Sequence, residues 1–458
     1  MKPNREQQPA SVPPAREDKQ AGEASKPWLQ CPGAERGVWT KNMLVALDKG
    51  VRGNKWFSLI DKVASDRTLA IAWEKVQSNA GACGVDGITV GTFAKDSERR
   101  LLAVKERIKE GTYLPKPIKR VHIPKAGSNE TRPLGIPTVT DRVVQTAVKL
   151  VIEPIFEREF AASSYGFRPG RGCKDALREV ERHLKEGKCH VVDVDIKGYF
   201  DNIPHAQLMA LVRERIADGK VLDMLERFLK AGVLEEGIET DPETGSPQGG
   251  IVSPLLANIY LDPLDKLLES LGLRSVRYAD DIVVLAESAE AARSALRTLE
   301  KWMDGAELTL HPEKTRVVDM YEADAHFDFL GCRFQRSRRG GLLKLVRPKS
   351  GQKLRGNLKK TTRRNNGRSM EAIIATINPV LRGWFEYFKH ANANEMSPVD
   401  SWVRMRLRSI LRKRQKRRGR GRGLDHHRWP NHYFANLGLF SLKTAREEET
   451  SLRNGVKR

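Results

Sequence analysis

The sequence predicts an α+β protein, and three observations carry that reading. Short β-rich runs alternate with helical stretches through the middle of the chain, as in a mixed sheet-and-helix domain. Two of those runs, Val276 to Tyr278 and Ile282 to Leu285, are separated only by Ala279, Asp280 and Asp281, the pattern of a hairpin with acids at its tip. After Gly341 the text changes to apolar residues every three or four positions on a basic background, the pattern of amphipathic helices.

The elements follow in order. Residues 1–38 are rich in Pro, Glu, Lys, Gln and Ser and poor in bulky apolar side chains, so a disordered tail is expected there. Residues 39–189 begin with helical spacing from Trp39 to Thr112, continue with a strand over Lys119 to Pro124 that runs into a turn over Lys125 to Ser128, and include a helix over Asp141 to Phe160 with Asp141 in its first turn. Residues 190–335 hold the β run His190 to Ile196, helical stretches at Ala206 to Ala231 and Pro254 to Leu271, and the acidic hairpin. Residues 336–418 carry helices near Met370 to His390 and Pro398 to Lys416. Residues 419–458 mix Gly and Arg with aromatics, a basic segment expected to fold on binding nucleic acid.

A chain of 458 residues allows two or three domains of roughly 150 residues each. Lys and Arg total 81 against 58 Asp and Glu, a net charge of +23, which points to a polyanionic partner. The charge is clustered: Phe329 to Met370 holds 14 basic residues and Arg404 to Arg422 holds 11, neither with one acid. Such blocks repel themselves unless phosphates neutralise them, so Arg338, Arg339, Lys359, Lys360, Arg363, Arg364, Arg412, Lys413 and Arg414 are candidate nucleic-acid contacts. Five cysteines without a CxxC pair argue against a disulfide framework or a structural zinc site. No run approaches ~20 apolar residues, so neither a membrane span nor a signal peptide is expected, and the reading is a cytoplasmic, bacterial-type protein acting at the nucleoid.

Asp195 closes the β run at 190–196, and Asp280 with Asp281 cap the hairpin, so three carboxylates stand at strand ends. Nucleotidyl transfer gathers charge on phosphoryl oxygens at both the attacking and the leaving side, and two closely spaced Mg²⁺ ions on hard oxygen ligands can absorb it. Asp is also a common turn former, so the pair at the tip does not decide the matter alone.

The surrounding motifs do more. Tyr278 to Asp281, YADD, resembles the signature of reverse transcriptases, and Val192 to Ile203, VDVDIKGYFDNI, resembles their first acidic motif. GSPQGGIVSPLLANIYL (Gly245 to Leu261) resembles the PQG motif; RPLGIP (Arg132 to Pro137) and SYGFRPGR (Ser164 to Arg171) lie upstream, LTLHPEKT (Leu308 to Thr315) and FDFLGCRF (Phe327 to Phe334) downstream. INPVLRGWFEYFK (Ile377 to Lys389), followed by Asp400 and Trp402, resembles the thumb and maturase region of group II intron proteins. The chain is thus similar to group II intron-encoded reverse transcriptases and maturases of the kind without an endonuclease.

That resemblance implies a right-hand polymerase: fingers within 39–189, a palm at 190–335 whose antiparallel sheet carries the YADD hairpin, an α-helical thumb and maturase unit at 336–418, and a nucleic-acid-binding segment at 419–458. It implies RNA-directed DNA synthesis and assistance of intron splicing, with intron RNA, a DNA primer or target and deoxynucleoside triphosphates as partners and two Mg²⁺ as cofactors. Asp195 and Asp280 would be the principal metal ligands, with Asp281 and the Ile196 carbonyl completing the set. Asp193 and Asp201 read as surface or supporting acids. Phe200 would exclude a 2′-hydroxyl; Lys125 and Arg132 would grip the triphosphate; Lys314 would offer a charge or a proton to the pyrophosphate leaving group; Gln248 would lie beside the nascent base pair. Leu330 and Gly331, with Phe329, would contact the primer strand, and Tyr278 would meet nucleic acid. His426, His427 and His432 lack cysteine partners, so no DNA-cutting module is expected and the primer would come from elsewhere, such as a replication fork.

Overall fold

In the computed structural model of the chain, the described residues are 33–35, 37–124, 131–235, 238–240, 244–246 and 249–455. Helices α1–α5 (Lys41–Lys49, Ile60–Val63, Asp66–Asn79, Val90–Ala94, Ser97–Glu110) form the N-terminal layer. They pack on α6 (Val139–Glu157), which is buried nearly all round and is capped by Thr138 accepting from the Asp141 amide. Next come α7 (Cys173–Lys185), α8 (His205–Arg213), α9 (Gly219–Leu229), α10 (Ser253–Ser270) and α11 (Ala289–Gly305). The expected single helix over 206–231 is two, because Asp218 caps a new start by accepting from Lys220 and Val221.

Three sheets accompany these helices. Strands β1 (Ile118–Pro124), β2 (Thr131–Ile136), β4 (Val233–Glu235) and β5 (Ile238–Thr240) form one, in the order β2-β1-β4-β5. The central sheet runs β6-β7-β3-β8, from Arg274–Tyr278, Asp281–Ala286, His190–Asp195 and Arg316–Asp319. A third, β11-β10-β9, comes from Leu342–Val346, Cys332–Arg336 and His326–Phe329.

The central sheet is covered on both faces, which is why β7 reads as an almost unbroken apolar run. Val192, Val194, Ile282 and Val284 enter the core shared with the N-terminal helices. Val191, Val276, Val283 and Leu285 enter a second core shared with the C-terminal unit.

That unit consists of α12 (Pro348–Thr361), α13 (Met370–Phe388), α14 (Met396–Arg414), α15 (Asp425–Arg428), α16 (Asn431–Asn436) and α17 (Leu442–Gly455). Two expectations are corrected here. Val38, assigned to the tail, is 3% exposed, and next to it the Trp39 indole donates to the Leu150 carbonyl; ordered packing begins before residue 39. The segment expected to fold only on binding is, over its described residues 419–455, not an unfolded basic arm: Trp429, Phe434 and Leu442 are buried in the second core. Asp400 of α14 also caps α17, accepting from the Leu442 and Lys443 amides and the Ser441 hydroxyl. Apolar anchors and a buried carboxylate cap tie this segment to the rest of the C-terminal unit. No helix among the described residues is long and apolar enough to cross a membrane, and the four cysteines among them are free thiols.

Candidate active site

Strands β3 and β7 pair antiparallel with Asp195 directly opposite Asp281, Asp193 opposite Val283 and Val191 opposite Leu285. Since alternate residues share a face, the face that buries Val191, Val283 and Leu285 at its base presents Asp193, Asp195 and Asp281 at its open end. Directly opposed residues bring their Cβ atoms to roughly 5 Å. Asp280 occupies the two-residue turn between β6 and β7, beside Ala279. These acids line a cleft of ≈ 440 Å³ together with Glu313, Lys314, Arg316, Asp328 and Arg347.

Burial, reinforced by repulsion from Asp193 and Asp280, pushes the Asp281 carboxyl up to about 7, while a backbone hydrogen bond from Leu330 opposes the shift. Asp193 is pushed up to about 6 by burial, Arg316 pulling the other way. Carboxylates crowded this closely are a hard-oxygen set suited to a divalent cation, and metal binding near neutral pH would displace protons from them. The set is not closed: among the described residues no three acidic, His or Cys side chains are already arranged as a metal cage. The Lys314 ammonium sits 2.9 Å from an Asp195 oxygen, a cation on the very group a metal would use.

The remaining expected residues are distributed as follows. Ile196 follows β3 directly, its side chain buried and its backbone bridged to Leu310. Phe200 is half-buried, edge-on to Phe167 at 6.5 Å and to Tyr199 at 5.5 Å. Lys125 and Gln248 lie outside the described residues; Arg132 lies on β2 opposite Ile123, its side chain likewise outside them. Gly249, next to Gln248, runs so close to β2 that an added Cβ would stand 2.1 Å from the Gly135 carbonyl oxygen, an approach that only glycine permits. Leu330 and Gly331 form the turn between β9 and β10, both at positive φ.

Arg338 and Arg339 are exposed at the β10–β11 turn, and Lys359, Lys360, Arg363, Lys413 and Arg414 are exposed on the C-terminal unit. Arg412 is a correction. Its guanidinium is engaged inside the protein, by the buried Asp425 carboxylate and the Arg418 carbonyl, so it supports the fold. Arg364 is half-buried and donates to the Ser409 and Arg417 carbonyls.

Sequence reasoning missed the support of the acidic tip. Arg277, fully buried on β6, pairs with the equally buried Asp265 of α10 (Nη2–Oδ2 2.5 Å) and donates to Asn258 Oδ1 at 2.9 Å and to the Ala279 carbonyl at 3.1 Å. Asn258 donates onward to the Gly166 carbonyl, and a Cβ on Gly166 would stand 2.3 Å from the Ala279 nitrogen. Ala279 itself is held at φ +59°, a left-handed conformation costing on the order of 1 kcal/mol. The signal was present: an arginine in the interior of a strand covered on both faces, as Arg277 is, requires a buried partner. Phe167 was missed as well. It stands 46% exposed at φ +58° between Phe200 and Tyr278, its ring 6.4 Å from the latter.

The family described as "Reverse transcriptase (RNA-dependent DNA polymerase)" matches residues 123–334, and "Group II intron, maturase-specific domain" matches 351–429. Protein YkfC of Escherichia coli (strain K12) is 33% identical over 330 residues, covering 63% of this chain and 86% of YkfC. The chain belongs to the group II intron reverse transcriptase and maturase family. Group II intron-encoded protein LtrA of Lactococcus lactis subsp. cremoris is 43% identical over 204 residues, 44% of this chain. That match spans 34% of LtrA, about a third of its length. Among solved structures, a chain of the "Partial Cas6-RT-Cas1--Cas2 complex" covers 54% of this chain and 42% of its own length at 20% identity and a TM-score of 0.36, too slight a likeness to carry an argument. In this member of the group II intron family, the reverse transcriptase match encloses the acidic cleft and the maturase match covers α13 and α14.

Arg277→Met should destabilise the chain by about 3–5 kcal/mol in denaturant titration, because it strands the Asp265 charge in the core. Arg277→Met with Asp265→Leu should recover most of that loss. A single variant as stable as the parent would contradict this role.

Proposed function

We propose that the chain is an RNA-directed DNA polymerase that binds group II intron RNA, assists its splicing and copies it into DNA during retrohoming. The observation that carries this reading is the register that sets Asp195 opposite Asp281 with Asp280 at the adjoining tip, within the stretch matched by the reverse transcriptase family. On this reading β3, β6, β7 and β8 are the palm, the sheet with β1 and β2 belongs to the fingers, and α12–α14 form the thumb and maturase unit.

Two Mg²⁺ ions held by Asp195, Asp280, Asp281 and the Ile196 carbonyl would neutralise charge on the attacking and leaving oxygens. Lys314, now on Asp195, would swing to the pyrophosphate side once a metal takes its place. Lys125 and Arg132 would grip the triphosphate, point charge and planar fork respectively. Phe200, braced by Tyr199 and Phe167, would close the space a 2′-hydroxyl needs. Arg316 and Arg347, which hold Asp193 and Asp328, would keep those outer acids from drawing the metals out of place. The basic surfaces at Arg338, Arg339, Lys359, Lys360 and Arg363 would follow phosphates of the template duplex and the intron RNA.

Primer extension on an RNA template with deoxynucleotides and Mg²⁺ tests the polymerase reading: Asp280→Asn should lower kcat by about 10²-fold or more, and equal product from both chains would refute the site. Phe200→Val should raise ribonucleotide use relative to deoxynucleotide use by about 10- to 100-fold, and unchanged discrimination would remove Phe200 from that role. Splicing of the cognate intron at low Mg²⁺ should accelerate on adding protein, and RNA affinity should fall by about 10³-fold between roughly 50 and 200 mM salt; splicing indifferent to the protein would remove the maturase role.

A further inference from the structure

The turn carrying Leu330 and Gly331 is held from the C-terminal unit rather than by its own sheet alone. Both residues stand at positive φ, +46° and +77°, the pairing that suits a two-residue hairpin turn, but Leu330 occupies it without glycine's freedom. Tyr387 of α13 donates its hydroxyl to the Leu330 carbonyl at 2.8 Å. The neighbouring Phe388 ring backs Gly331, where an added Cβ would lie 3.6 Å from it. The Ser350 hydroxyl and the Arg347 amide donate to the Gly331 carbonyl at 3.2 and 3.0 Å. On its other side the turn borders the acids, since Asp328, two residues before Leu330, and Arg347, whose amide holds Gly331, line the same cleft as Asp281.

We propose that Tyr387 is a positioning residue: by holding the Leu330 carbonyl it sets the turn against Asp281, so that the seating of α13 governs the geometry of the acidic cluster. The inference deepens the polymerase reading and rests on it for its consequence in catalysis. A phenol suits the task, because its hydroxyl is a single donor on a rigid ring whose edge is packed against Phe388 (centroids 4.7 Å apart). With the hydroxyl removed, the Leu330 carbonyl loses its tether while the ring stays in place, and the strained turn is free to relax away from Asp281.

The test uses the full chain and Tyr387→Phe. The melting temperature without metal should stay close to the parent's, which a role in packing alone also predicts. The discriminating readout is metal dependence. The variant should need about 3- to 10-fold more Mg²⁺ for half-maximal primer extension, the size of one lost hydrogen bond, with kcat reduced at fixed low Mg²⁺ and largely restored at high Mg²⁺, and KM for the deoxynucleotide little changed. Superimposable Mg²⁺ profiles would overturn the proposal. A parent that extends no primer would mean instead that the polymerase reading has failed. In that case a titration of melting temperature with Mn²⁺ decides this inference alone: a right-shifted curve for Tyr387→Phe supports it, and coincident curves overturn it.

Discussion

The acidic cleft depends on strand register. Because side chains alternate along β3 and β7, a slip of one residue in their pairing would carry Asp195 or Asp281 to the opposite face, into the apolar core shared with the N-terminal helices. The apolar residues below the acids prevent that slip. Val191 and Leu285 are opposed on one face, Val192 and Val284 on the other, and each is buried in its own core. Hydrophobic burial at the base of the sheet therefore sets where charges stand at its open end. The burial and repulsion that raise Asp281 and Asp193 are tolerated because the remainder of the strands is strongly placed.

Register alone does not shape the tip. The turn at Ala279 adopts a left-handed conformation in a residue without glycine's freedom, and it persists because its surroundings over-determine it. The Arg277 guanidinium holds the Ala279 carbonyl from beneath, Asp265 neutralises the guanidinium, and the Gly166 backbone closes over the turn. A buried ion pair is weak evidence for stability in general, since desolvation offsets much of its attraction. Here its value is directional, for it spends several donors on backbone and side-chain oxygens whose placement decides where Asp280 points. The cleft is thus supported from α10 below, from the loop at Ser164 to Gly166 above, and at the Leu330 turn by α13.

Much of this was legible in the residues. Alternation and β-rich runs locate β3, β6 and β7 to within two residues, and the acids stand at the ends of those runs in the sequence itself. The spacing of apolar residues likewise located α13 and α14. What escaped was tertiary. The split between α8 and α9 turns on Asp218, whose other carboxylate oxygen accepts from the distant Ile60 amide. Arg412 looked like one more cation in a basic block, and only the fold shows Asp425 beneath it. The C-terminal segment looked too basic to fold unaided because its few aromatics are scattered in sequence, although Trp429 and Phe434 converge on one core. Local pattern identifies elements and their ends; which polar groups are buried together is a property of the assembled chain.

On the proposed function, Asp195, Asp280 and Asp281 would hold a pair of divalent cations over a growing DNA end. Anomalous diffraction from crystals of the chain grown with a primer–template duplex, a non-hydrolysable deoxynucleotide and Mn²⁺ would locate them. Two peaks within ~4 Å of each other, bounded by these three carboxylates and with the Lys314 ammonium withdrawn from Asp195, are the predicted result. Manganese bound elsewhere, with the Lys314–Asp195 contact intact and the nucleotide phosphates away from the cleft, would contradict it.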